Sequence, residues 1–251
     1  MSPILLVHGA WHGPWCWNDF AQRLSVSGHD VHTMQLRGHD GRPGRLWYRL
    51  GDYVEDVERA AARFDEPPII VGHSLGGLLV QKHLERHAAA GVVLVSSVPP
   101  GGALPAVLRF VRRHPLVILK ANLLLSLRSF TGPASLVREL FFSPDTPQQI
   151  VDDCMAHLQN ESYPMFVSVL RLRWRAPCVP VPVLVLGGEH DGIVAVGEVE
   201  RTAQAYGAEA QIFPGMGHDL MLDTGWQKVA DRVGAWVREV EEGRGARQAS
   251  V

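Results

Sequence analysis

Cysteine is scarce in this chain: Cys16, Cys154 and Cys178 are 3 residues among 251, an odd number at scattered positions. They offer neither a disulfide framework nor a metal-binding spacing, so reduced thiols and a chain without metal or cofactor are expected. Net charge is nearly absent, −2 at pH 7, and gives no reason to expect a nucleic-acid partner. No apolar run is long enough to span a membrane; the most apolar stretch, 116–127, is interrupted by Lys120 and Asn122. Met1-Ser2-Pro3 runs directly into Ile4-Leu5-Leu6-Val7, with no basic n-region and no small-residue cleavage site. No secretory leader is therefore expected, and the cytoplasm is the expected compartment. Internal repeats are absent from the pattern.

What remains is an ordinary globular composition, 46% hydrophobic and 20% charged, with enough chain for one α/β domain carrying an insertion. Its most informative stretch is Ile69-Ile70-Val71-Gly72-His73-Ser74-Leu75-Gly76-Gly77. A β-branched run meets a Gly-x-Ser-x-Gly turn, and a helical pattern follows at once. Strand, tight turn and helix in that order are what a nucleophile elbow needs. Gly72 and Gly76 would let the backbone turn where a Cβ clashes, and the helix N-terminus at Leu75 would favour developing negative charge at Ser74. A serine alone is a poor nucleophile, so a base must come from elsewhere.

Apolar runs at 4–7, 31–36, 69–73, 92–95, 183–186 and 210–213 read as strands, and helical patterns separate most of them. The expected fold is α/β, a mostly parallel sheet of about six strands with helices on both faces. Asp52, with Glu55 three residues on, reads as an N-cap box. From 99 to 181 the alternation stops. Leu- and Arg-rich helical segments are expected there at 104–114, 116–130, 135–142 and 146–159. The expected organisation is a core of 1–98 and 182–242, a helical cap of 99–181 inserted before the penultimate strand, and a disordered tail of 243–251.

Ligands of an open parallel sheet bind at the carboxyl ends of its strands. Three polar residues fall on such ends, Ser74, Asp191 and His218, in the chain order of a Ser…Asp…His triad. His218 would take and return the Ser74 proton, and Asp191 would orient the imidazole; Glu189 and His190 are rivals close to Asp191. Two amides must receive the oxyanion. Leu75 follows the nucleophile, and His8-Gly9-Ala10-Trp11 follows the first strand, with Ala10 as the preferred donor and Trp11 as the alternative.

His8-Gly9, Arg37-Gly38-His39, Gly72-His73-Ser74-Leu75-Gly76-Gly77, Gly188-Glu189-His190-Asp191 and Gly217-His218 together resemble the α/β-hydrolase superfamily over nearly the whole chain. The block from His8 to Trp17 is similar to the branch of plant methylesterases and hydroxynitrile lyases and their bacterial relatives, with the first strand here resembling that family's third. The resemblance implies an α/β-hydrolase fold and a helical cap over the site. Hydroxynitrile lyases of that branch carry Thr and Lys where this chain has Gly9 and Asp219, which argues against cyanohydrin cleavage. Ser74 disfavours the dehalogenases and epoxide hydrolases of the fold, which use an aspartate.

The expected function is a serine hydrolase cleaving a carboxylic ester or thioester of a small to medium hydrophobic substrate through an acyl-enzyme. Trp11 and cap residues would line an apolar pocket. The alternatives are a C–C bond hydrolase, lyase or perhydrolase using the same triad, or a vestigial, ligand-binding member. The cations Arg109, Arg112, Arg113, Lys120 and Arg128 in the cap are read first as a solvated face of a lid, and second as a basic amphipathic face for a lipid surface. Oligomeric state is left open.

Overall fold

A computed structural model describes residues 2–41, 47–172 and 175–248. Six strands, β1 (Ile4–Val7), β2 (Val31–Met34), β3 (Ile69–His73), β4 (Gly91–Val95), β5 (Val183–Gly188) and β6 (Ala210–Phe213), form one sheet in the order β2-β1-β3-β4-β5-β6. Every pairing is parallel, with Ile4 opposite both Val31 and Ile69, and Ile69 opposite Gly91. The strands are β-branched and leucine-rich because both faces are covered. Leu5, Val7, Ile70, Val92, Leu94 and Val185 point into one apolar layer, shared with α2 (Leu50–Ala61), α3 (Leu75–His83) and α9 (Val196–Ala205). Their neighbours Ile4, Leu6, Ile69, Val71, Val93 and Leu186 point the other way, onto α1 (Asn18–Val26) and α10 (Trp226–Gln248).

The chain leaves β1 for the edge strand β2 and returns on the other side of β1 as β3. That reversal puts a crevice between the carboxyl ends of β1 and β3, the place where open parallel sheets bind ligands. The loop from His8 to Trp11 and the turn at Ser74 flank it.

The cap runs between β4 and β5 through α4 (Leu104–Arg113), α5 (Pro115–Leu124), a short 3-10 turn (Leu127–Phe130), α6 (Ala134–Phe141), α7 (Gln148–His157) and α8 (Tyr163–Arg171). The single helix expected over 116–130 is broken at Leu125, whose left-handed backbone (φ 47°, ψ 45°) stops α5. α8 was not foreseen: its Met165 and Val169 bury themselves in the core layer with α2 and α3 rather than in the cap. The cap's own cluster contains Phe130, Leu136, Phe141 and Val151, and Trp11 of the core inserts into it.

Two local expectations are corrected. Asp52 is not the N-cap of α2: the helix begins at Leu50, and Asp52 is its third residue, accepting from the amide of Arg49 at 2.6 Å. The tail expected from Gly243 is instead the end of α10, which continues to Gln248. It is held there by the other end of the chain, since Ser2 N donates to Glu241 at 3.0 Å and Arg244 donates to Ser2 Oγ at 2.6 Å. The loop expected ahead of α2 lies outside the described residues at 42–46, as does 249–251 of the tail.

The elbow is closed by glycine. A Cβ on Gly72 would lie 2.7 Å from both the carbonyl oxygen of Gly76 and Cα of Gly77, and one on Gly76 would lie 2.5 Å from the carbonyl oxygen of Val7. All three obstacles are backbone, so nothing can swing aside. Gly76→Ala is expected to lift α3 off β1 and lower stability by about 3 kcal/mol or more, read as a lower urea midpoint. An unchanged midpoint would contradict this packing.

Candidate active site

Ser74 is the residue on which β3 ends and α3 begins. Its backbone, at φ 51° and ψ −115°, is left-handed, a conformation that strains a residue with a Cβ. Trp11 (φ 63°) and Ser96 (φ 44°) share that strain. They follow β1 and β4, so three of the four left-handed non-glycine residues among those described lie at the carboxyl edge of the sheet, the fourth being Leu125 at the end of α5.

His218 follows β6, and its Nδ1 lies 2.9 Å and 2.8 Å from the two carboxylate oxygens of Asp191, in the loop after β5. Both side chains are buried. Asp191 is itself held, because its Oδ1 also accepts from the amides of Ile193 (2.8 Å) and Val194 (2.7 Å). With Nδ1 engaged, Nε2 is the imidazole nitrogen left to exchange a proton. Of the nearby rivals, Glu189 turns away to accept from the amide of Gly215. His218 packs on His73, the residue before Ser74, with ring centroids 4.8 Å apart. His73 Nε2 donates to the carbonyl of His218 at 3.2 Å; burial and the neighbouring His218 push the His73 pKa well down, so it does this as a neutral ring.

Ser74, Leu75, Ala10 and Trp11 line one cavity of about 120 Å³. Val107 and Phe110 of α4, Phe130 and Met165 complete an almost wholly apolar wall. The two candidate donors after β1 now separate. The amide of Trp11 donates to Glu161 at 3.3 Å, whereas those of Ala10 and Leu75 have no acceptor among the described residues. The peptide carrying the Ala10 amide is aimed by His8. His8 Nε2 accepts from Leu36 N at 3.1 Å, so the proton sits on Nδ1, which donates to the carbonyl of Gly9 at 2.9 Å. Burial and nearby His39 lower the His8 pKa and keep this ring neutral.

Glu161 and Asp223, which hold the site, escaped the sequence reading, and Arg109, expected on a solvated face of the lid, is instead paired with Glu198. Glu161, from the cap segment before α8, is buried and accepts from Trp11 N, from Tyr53 Oη at 2.8 Å and from His39 Nε2 at 3.2 Å. It ties this inserted segment to the loop from His8 to Trp11 and to the Arg37-Gly38-His39 turn. Asp223, fully buried, accepts from Gly217 N and from Ser143 N and Thr146 Oγ1 of the cap, which fixes the loop before His218. Arg109 of α4 donates to the carbonyl of Ile193 and to Glu198, clamping the cap to the Asp191 loop. Each of these lies over 100 positions, or some 80, from a partner it holds, so no local spacing announces it.

A larger open cleft of about 570 Å³ lies beyond Trp15, lined in part by Cys154, His157 and Trp226, but it contains none of Ser74, Leu75 or Ala10. Two buried groupings have ligand-type atoms within 4.8 Å of one another: His12, Cys154 and Asp219; and His73, His218 and Asp219. In the first, His12 Nε2 is bonded to Asp219 Oδ2; in the second, His73 Nδ1 and Asp219 Oδ1 have no hydrogen-bond partner among the described residues, and His218 faces Asp191.

A strained serine, a carboxylate-held histidine and two amides without an acceptor among the described residues thus lie at one sheet edge. The sequence profile of the alpha/beta hydrolase family fits residues 4–232. The chain belongs to the alpha/beta hydrolase family. Within it, the chain is 34% identical over 105 residues to esterase PIR7B of Oryza sativa subsp. japonica, covering 38% of this chain and 39% of that one. It is 38% identical over 94 residues to the carbendazim hydrolyzing esterase of Nocardioides sp. (strain SG-4G), covering 35% and 38%. These alignments span about two fifths of the relatives' length. Methylesterase 18 of Arabidopsis thaliana aligns over more, 213 residues at 25% identity, 81% of this chain and 76% of its own. Among solved structures, a thermophilic esterase from Thermogutta terrifontis superposes with a TM-score of 0.75 at 17% identity over 96% of this chain and 90% of its own, which shows the shared fold.

Proposed function

We propose that this family member is a serine hydrolase that cleaves a carboxylic ester or thioester with a hydrophobic acyl or alcohol part. The observation carrying the proposal is the Asp191–His218 pair, closed by short contacts at the edge where Ser74 opens into an apolar cavity. The esterase names of its sequence relatives support the same reading.

His218 Nε2 accepts the Ser74 proton as Oγ attacks the carbonyl carbon. The oxyanion forms toward the Ala10 and Leu75 amides, which are fixed before the reaction and free of other acceptors. Asp191 keeps the proton on Nδ1 and stabilises the imidazolium. His218 then protonates the leaving alcohol or thiol, and water, deprotonated by the same imidazole, releases the acid from the acyl-enzyme. The cavity wall offers no charged group to a substrate, so recognition there is by shape and apolar contact.

The test is covalent labelling with a fluorophosphonate, followed by a panel of esters graded in chain length. Adduct on Ser74 in the folded protein, with alcohol and acid as products, is the expected result. No adduct would leave only a binding role, and cleaved C–C bonds or peracid would move the chemistry to another reaction of the same triad. Phe110 stacks on Phe130 at 4.8 Å and closes the cavity on the α4 side. Phe110→Ala should therefore shift kcat/KM toward longer acyl chains by about tenfold, the worth of one or two methylenes in such a pocket. An unaltered preference would place the acyl group elsewhere.

A further inference from the structure

The near-neutral bulk charge hides a local asymmetry. Residues 104–128 hold Arg109, Arg112, Arg113, Lys120 and Arg128 and no Asp or Glu. Arg109 is committed to Glu198, and Arg113 lies 3.6 Å from Glu139. Arg112, Lys120 and Arg128 are exposed and form no salt bridge among the described residues.

The same segment leaves all its leucines but the buried Leu127 exposed to solvent. α5 is apolar on nearly every side, yet Ala121 is its one fully buried residue. Leu116 and Leu123 are 76% and 75% exposed, with exposed Leu119 between them on one helical face. On α4, Leu104 and Leu108 are also exposed, one turn apart. A helix that is apolar all round belongs in a core or against lipid, and a contiguous apolar patch on a surface marks an interaction site. The cations continue these stripes. Arg112 stands one turn beyond Leu108, and Lys120 sits between Leu116 and Leu123, where a long stem can lie along the leucines and carry its charge outward.

The charges select the occupant. A second copy docked through a two-fold axis would set Arg112, Lys120 and Arg128 against the same three residues, with no acid in the segment to answer them. An anionic lipid surface satisfies both features, receiving the leucines at the acyl boundary and the cations among the headgroups. We propose that the face formed by α4 and α5 docks the cap onto anionic lipid bilayers. The inner side of α4 presents Ala106, Val107 and Phe110 to the cavity, so docking sets that cavity one helix diameter, about 10 Å, from the lipid. The binding is independent of the catalytic reading.

The experiment is co-sedimentation of the full chain with phosphatidylcholine–phosphatidylglycerol vesicles and with pure phosphatidylcholine vesicles. Each Lys or Arg near an anionic surface strengthens partition by about fivefold, so three should favour the mixed vesicles by about a hundredfold, and added salt should erode the preference. Leu116→Asp with Leu123→Asp should weaken binding by at least about tenfold while leaving the melting temperature and fluorophosphonate labelling unchanged, because both side chains are exposed. The proposal is overturned if the wild-type chain ignores the mixed vesicles, or if the double variant binds them equally. It is also overturned if ultracentrifugation shows a dimer that the two substitutions dissolve without any vesicle binding.

Discussion

Ser74→Ala should lower kcat on any ester the wild type hydrolyses by about 10⁶, and Asp191→Asn by about 10⁴, with little change in melting temperature for either. The first figure is the loss of the attacking atom; what remains is the contribution of the Ala10 and Leu75 amides and of binding. The second follows from the hydrogen bonds around Asp191. Its Oδ1 accepts from Ile193 N and Val194 N while both oxygens face His218 Nδ1. An asparagine must keep its oxygen toward those two amides, so its NH2 turns to the imidazole. Nδ1 then becomes an acceptor and the proton moves to Nε2, the nitrogen that should receive the Ser74 proton. The ring stays in place in the wrong tautomer. Combining the two substitutions should cost no more than Ser74→Ala alone, because the residues act on one step. Steady-state kinetics with a chromogenic ester reads all three. Asp191→Asn within tenfold of wild type would show that another carboxylate orients His218.

The sheet was legible because its strands are buried on both faces and therefore written as unbroken apolar runs between glycine-rich turns. The elbow was legible for a related reason: Gly72 and Gly76 are demanded by backbone contacts within a few residues of Ser74 or across one strand pair. The meeting of Asp191 with His218 could be expected because both follow strands whose carboxyl ends share one edge and because they stand in the chain order of a Ser…Asp…His triad. The cap yielded its helices but not how they attach. Glu161, Asp223 and Arg109 act across sequence gaps that no periodicity spans, and their meaning exists only once the cap lies on the core. α8 divides its apolar residues, Met165 and Val169 joining the core layer and Phe166 the cluster of the inserted segment, which a reading of the insertion as a separate lid does not anticipate. The start of α2 was misplaced because an aspartate three residues into a helix and one at its cap leave the same mark in sequence.

Asp219, next in the chain after His218, carries the second large effect. It is wholly buried, and its Oδ2 lies 2.9 Å from His12 Nε2. His12 Nδ1 donates to the carbonyl of Ala10 at 2.8 Å, so both ring nitrogens are donors and the ring is an imidazolium. Burial opposes that charge, but adjacent Asp219 outweighs it and raises the His12 pKa well above its ordinary value. Burial likewise works against the Asp219 carboxylate, and His12, aided by His73 and His218, overcomes it and holds that pKa low. Asp219→Ala strands a buried cation and should cost about 3–5 kcal/mol. The pH dependence fixes the sign. The His12 contribution is complete below its unfolded pKa of 6.5 and is lost as pH rises through the higher folded value. The Asp219 contribution is present above its unfolded value of 3.8 and is lost as pH falls through the lower folded one. The stability gap between wild type and variant should therefore be widest between about pH 4 and 6.5 and narrow as the solution becomes alkaline, measured by urea unfolding across that range. A gap that widens from pH 5 to pH 9 would mean that the pair is not charged. Because His12 grips the Ala10 carbonyl, the variant should also lose activity at pH values where it remains folded, through a loosened oxyanion loop rather than through Ser74.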